Sequence, residues 1–290
     1  MDSAPAIDKR RLRASFDKAA PGYDAAAVLQ HEVCRRMLSK LEFIKLQPAA
    51  ILDAGCGTGN AVAALQAHFP HATLCALDLA AGMVRQARAR APWWKSVLGR
   101  NVVPVCGDIE QLPLRAAAFD FAWSNLALQW MNDLPRAFAE FRRVLTVGGL
   151  LTFTTFGPDT LKEIRSAFAR ADGHTHTNRF TDMHDIGDML VDAGFADPVM
   201  DMEQLTLTYA DAGSLMRELK QIGATNATRG RPHGLMGRGR WRRALEALEA
   251  TRRDGRIPAT FEVIYGHAWK GEPRRSAEGH PIVKLTRPGR

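Results

Sequence analysis

Alternate glycines at Gly55, Gly57 and Gly59 follow directly on the apolar pair Ile51-Leu52 and the acid Asp53, and they form the turn in this chain best suited to chemistry. Only glycine lets a ligand's charged groups approach the backbone so closely, so the turn reads as a nucleotide-binding element. Its spacing decides which nucleotide. A dinucleotide site calls for Gly-x-Gly-x-x-Gly, but Asn60 stands in the third slot and the last glycine comes one residue early. A P-loop needs Gly-Lys-Ser/Thr, and no lysine is nearby. Asp53 also has a plainer reading, as a turn-capping aspartate of an ordinary strand-to-helix loop. Asp78 ends the apolar run 73–77 and is placed to accept hydrogen bonds from both hydroxyls of a ribose, which selects against a 2′-phosphate. Gly107-Asp108-Ile109 ends the run 102–106. There the carboxylate or the adjacent amides could meet an adenine and Ile109 could cover its face, although Gly-Asp is also a common turn. No Ser-His-Asp or Cys-His constellation stands near a strand end.

These residues need elements to hold them. The pattern predicts a helix over 61–69 stopped by Pro70, strands at 73–77, 102–106 and 119–124, an amphipathic helix over 133–145 ended by Gly148-Gly149, and a fifth strand at 150–155. Strands alternating with helices in this way specify a doubly wound parallel sheet, with ligands outside its carboxyl ends. Helical patterning over 11–20 and 25–41 is broken at Pro21-Gly22, which presents Tyr23 over the cleft, as packing or as a free hydroxyl donor. Beyond strand five come helices at 159–171 and 185–193, strand six at 199–209, helices at 215–222 and 241–251, and a last strand at 260–267. The insertions lie on the ligand side and read as a helical lid. The expected organisation is one domain over 1–270: a helical cover (1–45), a cofactor-binding core (46–156), lid insertions with strand six (157–257) and the last strand (258–270). A tail over 271–290 is expected to be disordered.

With 290 residues and 46% hydrophobic content the chain can bury a full core. It has no apolar run near the roughly 18 residues a membrane span needs, and positions 1–13 have no apolar core of a secretion signal. Cys34, Cys56, Cys75 and Cys106 show no metal-ligand spacing and read as reduced core residues of a cytoplasmic protein. The net charge of +8 is uneven, with Arg229, Arg231, Arg238, Arg240, Arg242 and Arg243 close together and Arg252, Arg253 and Arg256 soon after. Such a cluster could dock an acidic partner, or simply form a solvated helix face.

The pattern apolar-x-Asp-x-Gly-x-Gly-x-Gly at Asp53, Gly55, Gly57 and Gly59 resembles motif I of the class I S-adenosylmethionine methyltransferases. Two further stretches resemble the biotin-synthesis methyltransferases that act on malonyl-acyl carrier protein. One is Phe16-Asp17-Lys18-Ala19-Ala20-Pro21-Gly22-Tyr23-Asp24 with Leu29-Gln30; the other is Leu126-Ala127-Leu128-Gln129-Trp130 with Asp133-Leu134-Pro135. Asn178-Arg179-Phe180 and Leu219-Lys220-Gln221-Ile222-Gly223-Ala224-Thr225 are similar to that family's lid, and the likeness covers roughly residues 10–268. It implies an α/β fold, a doubly wound, mostly parallel seven-stranded sheet with helical lid insertions. The implied cofactor is S-adenosyl-L-methionine, held by Asp53, Gly55, Gly57, Gly59, Asp78, Leu79, Met83, Asp108, Ile109 and Asn125, the last beside the methionine part. The implied reaction is methyl transfer to the free malonyl carboxylate of an acidic carrier-protein partner. For gripping that carboxylate Arg143 is the first choice, since it matches an arginine in the family's stretch before strand five. It could equally complement a helix dipole. Tyr23 and Lys220 are further candidates.

Ile257-Pro258-Ala259-Thr260-Phe261, Trp269-Lys270, Phe156-Gly157 and Asp159-Thr160-Leu161 are similar instead to methyltransferase-like proteins of respiratory complex I assembly that modify arginine. That relative, another small-molecule methyltransferase and a non-catalytic assembly factor stay open. Nucleic acid is not the expected partner: strand four runs into Ser124-Asn125-Leu126-Ala127 without Pro-Pro-Tyr, there is no Pro-Cys nucleophile, and no aromatic platform accompanies the arginines.

Overall fold

The computed structural model describes residues 6–90, 102–170, 178–224 and 237–272. Arg229, Arg231, Thr225, the helix end expected at 171 and nearly all of the expected tail lie outside these residues.

The chain begins with α1 (Lys9–Ala19), a short α2 (Tyr23–Ala26) and α3 (Val28–Lys40), where the sequence pattern had suggested one helix over 25–41. Ala27 departs from helical geometry and separates the last two. Then follow β1 (Ala50–Ala54), α4 (Val62–His68), β2 (Thr73–Asp78), α5 (Ala81–Arg90), β3 (Val102–Cys106), β4 (Phe119–Ser124), α6 (Leu134–Val144) and β5 (Leu145–Phe156). The second half contributes α7 (Lys162–Ala169), α8 (Met183–Asp192), β6 (Ala196–Tyr209), α9 (Ala212–Gln221), α10 (Arg238–Glu249) and β7 (Ile257–Trp269).

The strands form one seven-stranded sheet in the order β3-β2-β1-β4-β5-β7-β6. The first five pair in parallel, and β7 runs antiparallel between β5 and β6. The order reverses between β1 and β4, so a crevice opens beyond their carboxyl ends. Central strands are apolar on both sides because helices cover both faces. Ile51, Phe121 and Trp123 pack on one face with Val33, Met37 and Leu65, whereas Leu52, Ala122 and Phe153 pack on the other with Phe138 and Phe141.

Two expectations need correction. Gly148-Gly149 does not end a helix: α6 stops at Val144 and β5 starts at once, with Leu145 already paired to Phe119 and a register shift before Phe121. Cys106 is not a core residue. It ends the sheet's edge strand β3 and is exposed, while Cys34, Cys56 and Cys75 are buried.

Candidate active site

The glycine turn leaves β1 at the switch point, and its geometry demands its glycines. Gly59 has φ +83°, and a Cβ there would lie 2.9 Å from the Ala87 backbone. At Gly55 (φ +79°) a Cβ would come within 2.3 Å of Ala127 Cβ, on the loop beyond β4. Turn and loop are therefore packed in direct contact at Gly55, where a side chain would push them apart, and a side chain at Gly59 would push the turn off α5. The Gly57 amide donates to Asp78 Oδ2 at 3.0 Å, and the Ala80 amide to Asp78 Oδ1 at 2.8 Å. One carboxylate thus joins the ends of β1 and β2 and keeps lone pairs toward the cleft. Burial raises its pKa to about 6, against the opposing pull of the Ala80 and Gly57 amides.

A cavity of about 1160 Å³ occupies the crevice. Ligand sites usually enclose about 300–1,000 Å³, so there is room for more than one small molecule. Gly55, Gly57, Asp78, Leu79, Met83, Asp108, Ile109 and Asn125 line it, as do Tyr23 and Lys220. Two of the expected cofactor residues do not. Gly59 packs behind the turn against Ala87, and Asp53 lies inside the sheet at 2% exposure. Burial, followed by the charge of Asp78, raises the Asp53 carboxyl to about 8, and its Oδ2 has no partner among the described residues.

Asp108 lines the cavity with its carboxylate already engaged from the cover. Its carboxylate accepts from Lys9 Nζ at 2.6 and 2.7 Å, and Lys9 also reaches Glu110. Helix α1 is thereby clasped to the loop after β3. Asn125 is held on both sides, its Nδ2 donating to the Gln30 carbonyl and its Oδ1 accepting from Thr154 Oγ1. Leu126 beside it adopts a left-handed φ of +48°, fixed by its amide donating to the Thr154 carbonyl and hydroxyl. A bulky residue held in that conformation at a cavity wall is local strain of the kind found at functional sites. The phenol of Tyr23 is pushed further up from its ordinary value by burial, then by Asp78 and Asp24, so it stays a neutral donor.

Arg143 is not brought to the cavity. Its guanidinium pairs with Glu140 at 2.7 Å and donates to the carbonyls of Leu112 and Leu114 at 2.9 and 2.7 Å. It ties the carboxyl end of α6 to the loop that returns to β4, because that loop folds across the last helical turn. Arg143→Met is accordingly expected to leave kcat within about threefold while removing about 1–3 kcal/mol of stability. Thermal melting alongside steady-state kinetics checks both.

The cover is fastened by Asp17, Asp24 and Phe16, to which the sequence alone assigns no role. Asp17 accepts the Gly82 amide at 2.6 Å and serves as a cap on the open end of α5. Asp24 accepts from buried Thr58 Oγ1 at 2.6 Å, in the glycine turn itself, and pairs with Arg90. Phe16 meets Trp130 edge-on with ring centroids 5.5 Å apart, so the two signature stretches far apart in sequence touch at the cavity wall. Acids flanking the Pro-Gly break were the available signal. Asp17→Ala is expected to cost about 1 kcal/mol of stability and to raise the cofactor KM several-fold. Faster tryptic cleavage within α1, followed on a gel, reads the same loosening.

The reversed strand order, the glycine turn at the switch point and the cavity above it define the class I methyltransferase fold. A family model described as a methyltransferase domain matches residues 52–153. A malonyl-[acyl-carrier protein] O-methyltransferase from Gallionella capsiferriformans is 57% identical over 281 residues, 97% of this chain and 97% of its own. One from Laribacter hongkongensis is 52% identical over 291 residues, 98% of each. The chain belongs to the malonyl-[acyl-carrier protein] O-methyltransferase family. Among solved structures, YcgJ from Bacillus subtilis is similar with a TM-score of 0.57 at 18% identity, over 82% of this chain and 99% of that one. The [4+2]-cyclase SpnF gives 0.60 at 20%, over 93% and 100%. At such identities the likeness is one of fold, and a cyclase among these neighbours illustrates that one fold hosts several reactions. Among the described residues, no helix is long and apolar enough to cross a membrane.

Proposed function

We propose that this chain transfers a methyl group from S-adenosyl-L-methionine to the free carboxylate of malonyl-acyl carrier protein, in the cytoplasm, giving the methyl ester that begins the pimelate chain of biotin. The observation that carries this reading is similarity above 50% over nearly the whole chain to proteins of that name.

The residues present fit the cofactor: a turn whose three glycines have positive φ and which leaves no room for a side chain at Gly55 or Gly59, an acid whose lone pairs face the cleft, and an apolar wall from Leu79, Met83 and Ile109. When bound, S-adenosyl-L-methionine supplies an electrophilic methyl on a sulfonium. Asp78 would take the ribose hydroxyls, and Asn125, fixed by Gln30 and Thr154, would present its amide to the methionine part. A carboxylate acceptor is already ionised at neutral pH, so this chain needs no general base. Its task is to hold two reactants in line, which can supply effective molarities on the order of 10⁵ M or more. It must also exclude water while opposite charges cancel. Ile164 and Phe168 of α7, Met216 and Leu219 of α9 and Leu245 of α10 supply an apolar roof to the cavity.

Polarity changes toward the cavity's rim. Arg11, Arg217, Lys220 and Arg240 all line it and all are exposed. Lys220 is read as part of this basic rim, where it would meet an acidic carrier protein, and steering by such charges raises association rates. The test uses labelled cofactor with malonyl-acyl carrier protein. Appearance of the methyl ester, together with restored growth without biotin in a strain lacking this activity, supports the reading. No ester and no growth would overturn it.

A further inference from the structure

The positive charge of this chain is concentrated beside the cavity. Helix α9 and the first two turns of α10 carry Arg217, Lys220, Arg238, Arg240, Arg242 and Arg243, all exposed, against one acid, Glu218, which accepts from the Tyr209 hydroxyl at 2.7 Å. The sequence from 222 to 237, between the two helices, adds no acid. The whole chain has a net charge of +8, so these six cations account for most of its excess. The energetics of the fold do not ask for them there. Arg238 and Arg240 stand in the first turn of α10, which holds no acid, at the positive end of the helix dipole, where a cation is unfavourable. Arg217, Lys220 and Arg240 reach the cavity, and Arg11 of α1 joins them. Arg217 has a loose pair with Asp211 at 3.9 Å, and the other three make no ion pair among the described residues. The acids on the described lining are Asp78 and Asp108, and Lys9 neutralises the second.

We propose that docking of the acidic carrier protein on this basic surface raises the affinity of the cavity for the cationic cofactor, and not for the neutral one left after methyl transfer. The inference rests on the carrier-protein reading above and adds a coupling between its two substrates.

The charges set the direction of this coupling. At neutral pH S-adenosyl-L-methionine carries a sulfonium, an ammonium and a carboxylate, a net positive charge, whereas S-adenosyl-L-homocysteine lacks the sulfonium and is neutral overall. The free protein therefore receives its cofactor in a field of the same sign. Asp78 opposes that field, but its single charge faces four cations on the cavity lining. An acidic partner seated on α9 and α10 cancels part of the field, and low-dielectric cavity walls carry that change to a bound sulfonium better than water does. Coupling between two ligands is reciprocal. A protein loaded with S-adenosyl-L-methionine thus holds the carrier protein more tightly than one loaded with S-adenosyl-L-homocysteine, and docking is favoured when there is a methyl to give. Transfer removes the sulfonium charge and the coupling with it, so carrier protein and spent cofactor separate more readily.

The test measures cofactor Kd by calorimetry on the full-length protein, alone and with saturating unacylated acyl carrier protein, so that no methyl is transferred. With the carrier protein present, Kd for S-adenosyl-L-methionine is expected to fall about three- to tenfold and Kd for S-adenosyl-L-homocysteine to change less than about twofold, the gap a few screened charges produce around one cation. Raising salt from about 0.05 M to about 0.5 M should close that gap. A triple variant, Arg217→Glu, Lys220→Glu and Arg240→Glu, reads the field with no carrier protein present. It should bind S-adenosyl-L-methionine about three- to tenfold more tightly than wild type and S-adenosyl-L-homocysteine within about twofold, at an unchanged melting temperature because all three side chains are exposed. Equal tightening of both cofactors by the carrier protein would mark closure of the lid instead of charge and overturn the inference. So would a Kd for S-adenosyl-L-methionine that the carrier protein leaves unchanged, or a folded triple variant with the wild-type preference. A wild-type chain that makes no malonyl methyl ester overturns the functional reading itself, whereas ester formation with uncoupled Kd values overturns only the inference.

Discussion

Asp78→Ala is expected to weaken S-adenosyl-L-methionine binding by on the order of 10³-fold, measured by calorimetry. Two hydroxyl bonds to a charged acceptor are worth about 2 kcal/mol each, and 1.4 kcal/mol is tenfold in affinity. The loss extends beyond the ribose. The same carboxylate takes the Gly57 and Ala80 amides, so its removal also frees the turn that the cofactor must meet in a defined shape. Asp78→Asn keeps one acceptor oxygen and should lose less, about 10–100-fold. The pKa near 6 adds a pH signature. Below that value the protonated group donates where it should accept, so wild-type affinity should fall by up to tenfold for each pH unit below about 6. The Asp78→Ala variant should show no such slope. A wild-type affinity constant from pH 5 to 8 would rule out Asp78 as the ribose acceptor.

The parts of this site legible in sequence are those fixed by neighbours along the chain. The glycine turn, Asp78 at a strand end and the Gly107-Asp108-Ile109 step are local consequences of strand-then-turn order, so spacing alone locates them. Arg143 shows where that logic stops. Its destination depends on the loop after Asp108 folding back across α6, a tertiary fact that places the Leu112 and Leu114 carbonyls within reach. Helix periodicity could not distinguish that from a grip on substrate. Lys9 was invisible for the same reason, since its partners Asp108 and Glu110 come from the far side of the sheet's first half. The early start of β5 escaped because Gly148-Gly149 is a strong helix-stop signal locally, whereas pairing of Leu145 with Phe119 is not local.

Asp53 carries the second large expected effect, on stability. Its carboxyl is 2% exposed, Oδ2 has no partner among the described residues, and burial with the nearby Asp78 charge raises its pKa to about 8. In the unfolded chain an aspartate titrates near 4. Between about pH 4 and 8 the folded state therefore holds a proton that the unfolded state has released, and stability falls as pH rises through that window. Below it both states are protonated, and above it both are ionised, so the curve flattens at each end. At about 1.4 kcal/mol per pH unit the accumulated loss is on the order of 3 kcal/mol or more. Asp53→Asn removes the group, so its melting temperature should vary less across this range, with the gap between variant and wild type shifting in the variant's favour by at least ~5 °C from pH 4 to pH 8. Parallel melting curves at both pH values would show that Asp53 ionises normally in the fold. The same charge couples to ligand. A cationic cofactor entering above Asp53 and Asp78 favours their ionised forms, so binding near pH 7 should release protons. Calorimetry in buffers of different ionisation enthalpy should detect that release in wild type and a smaller one in Asp53→Asn.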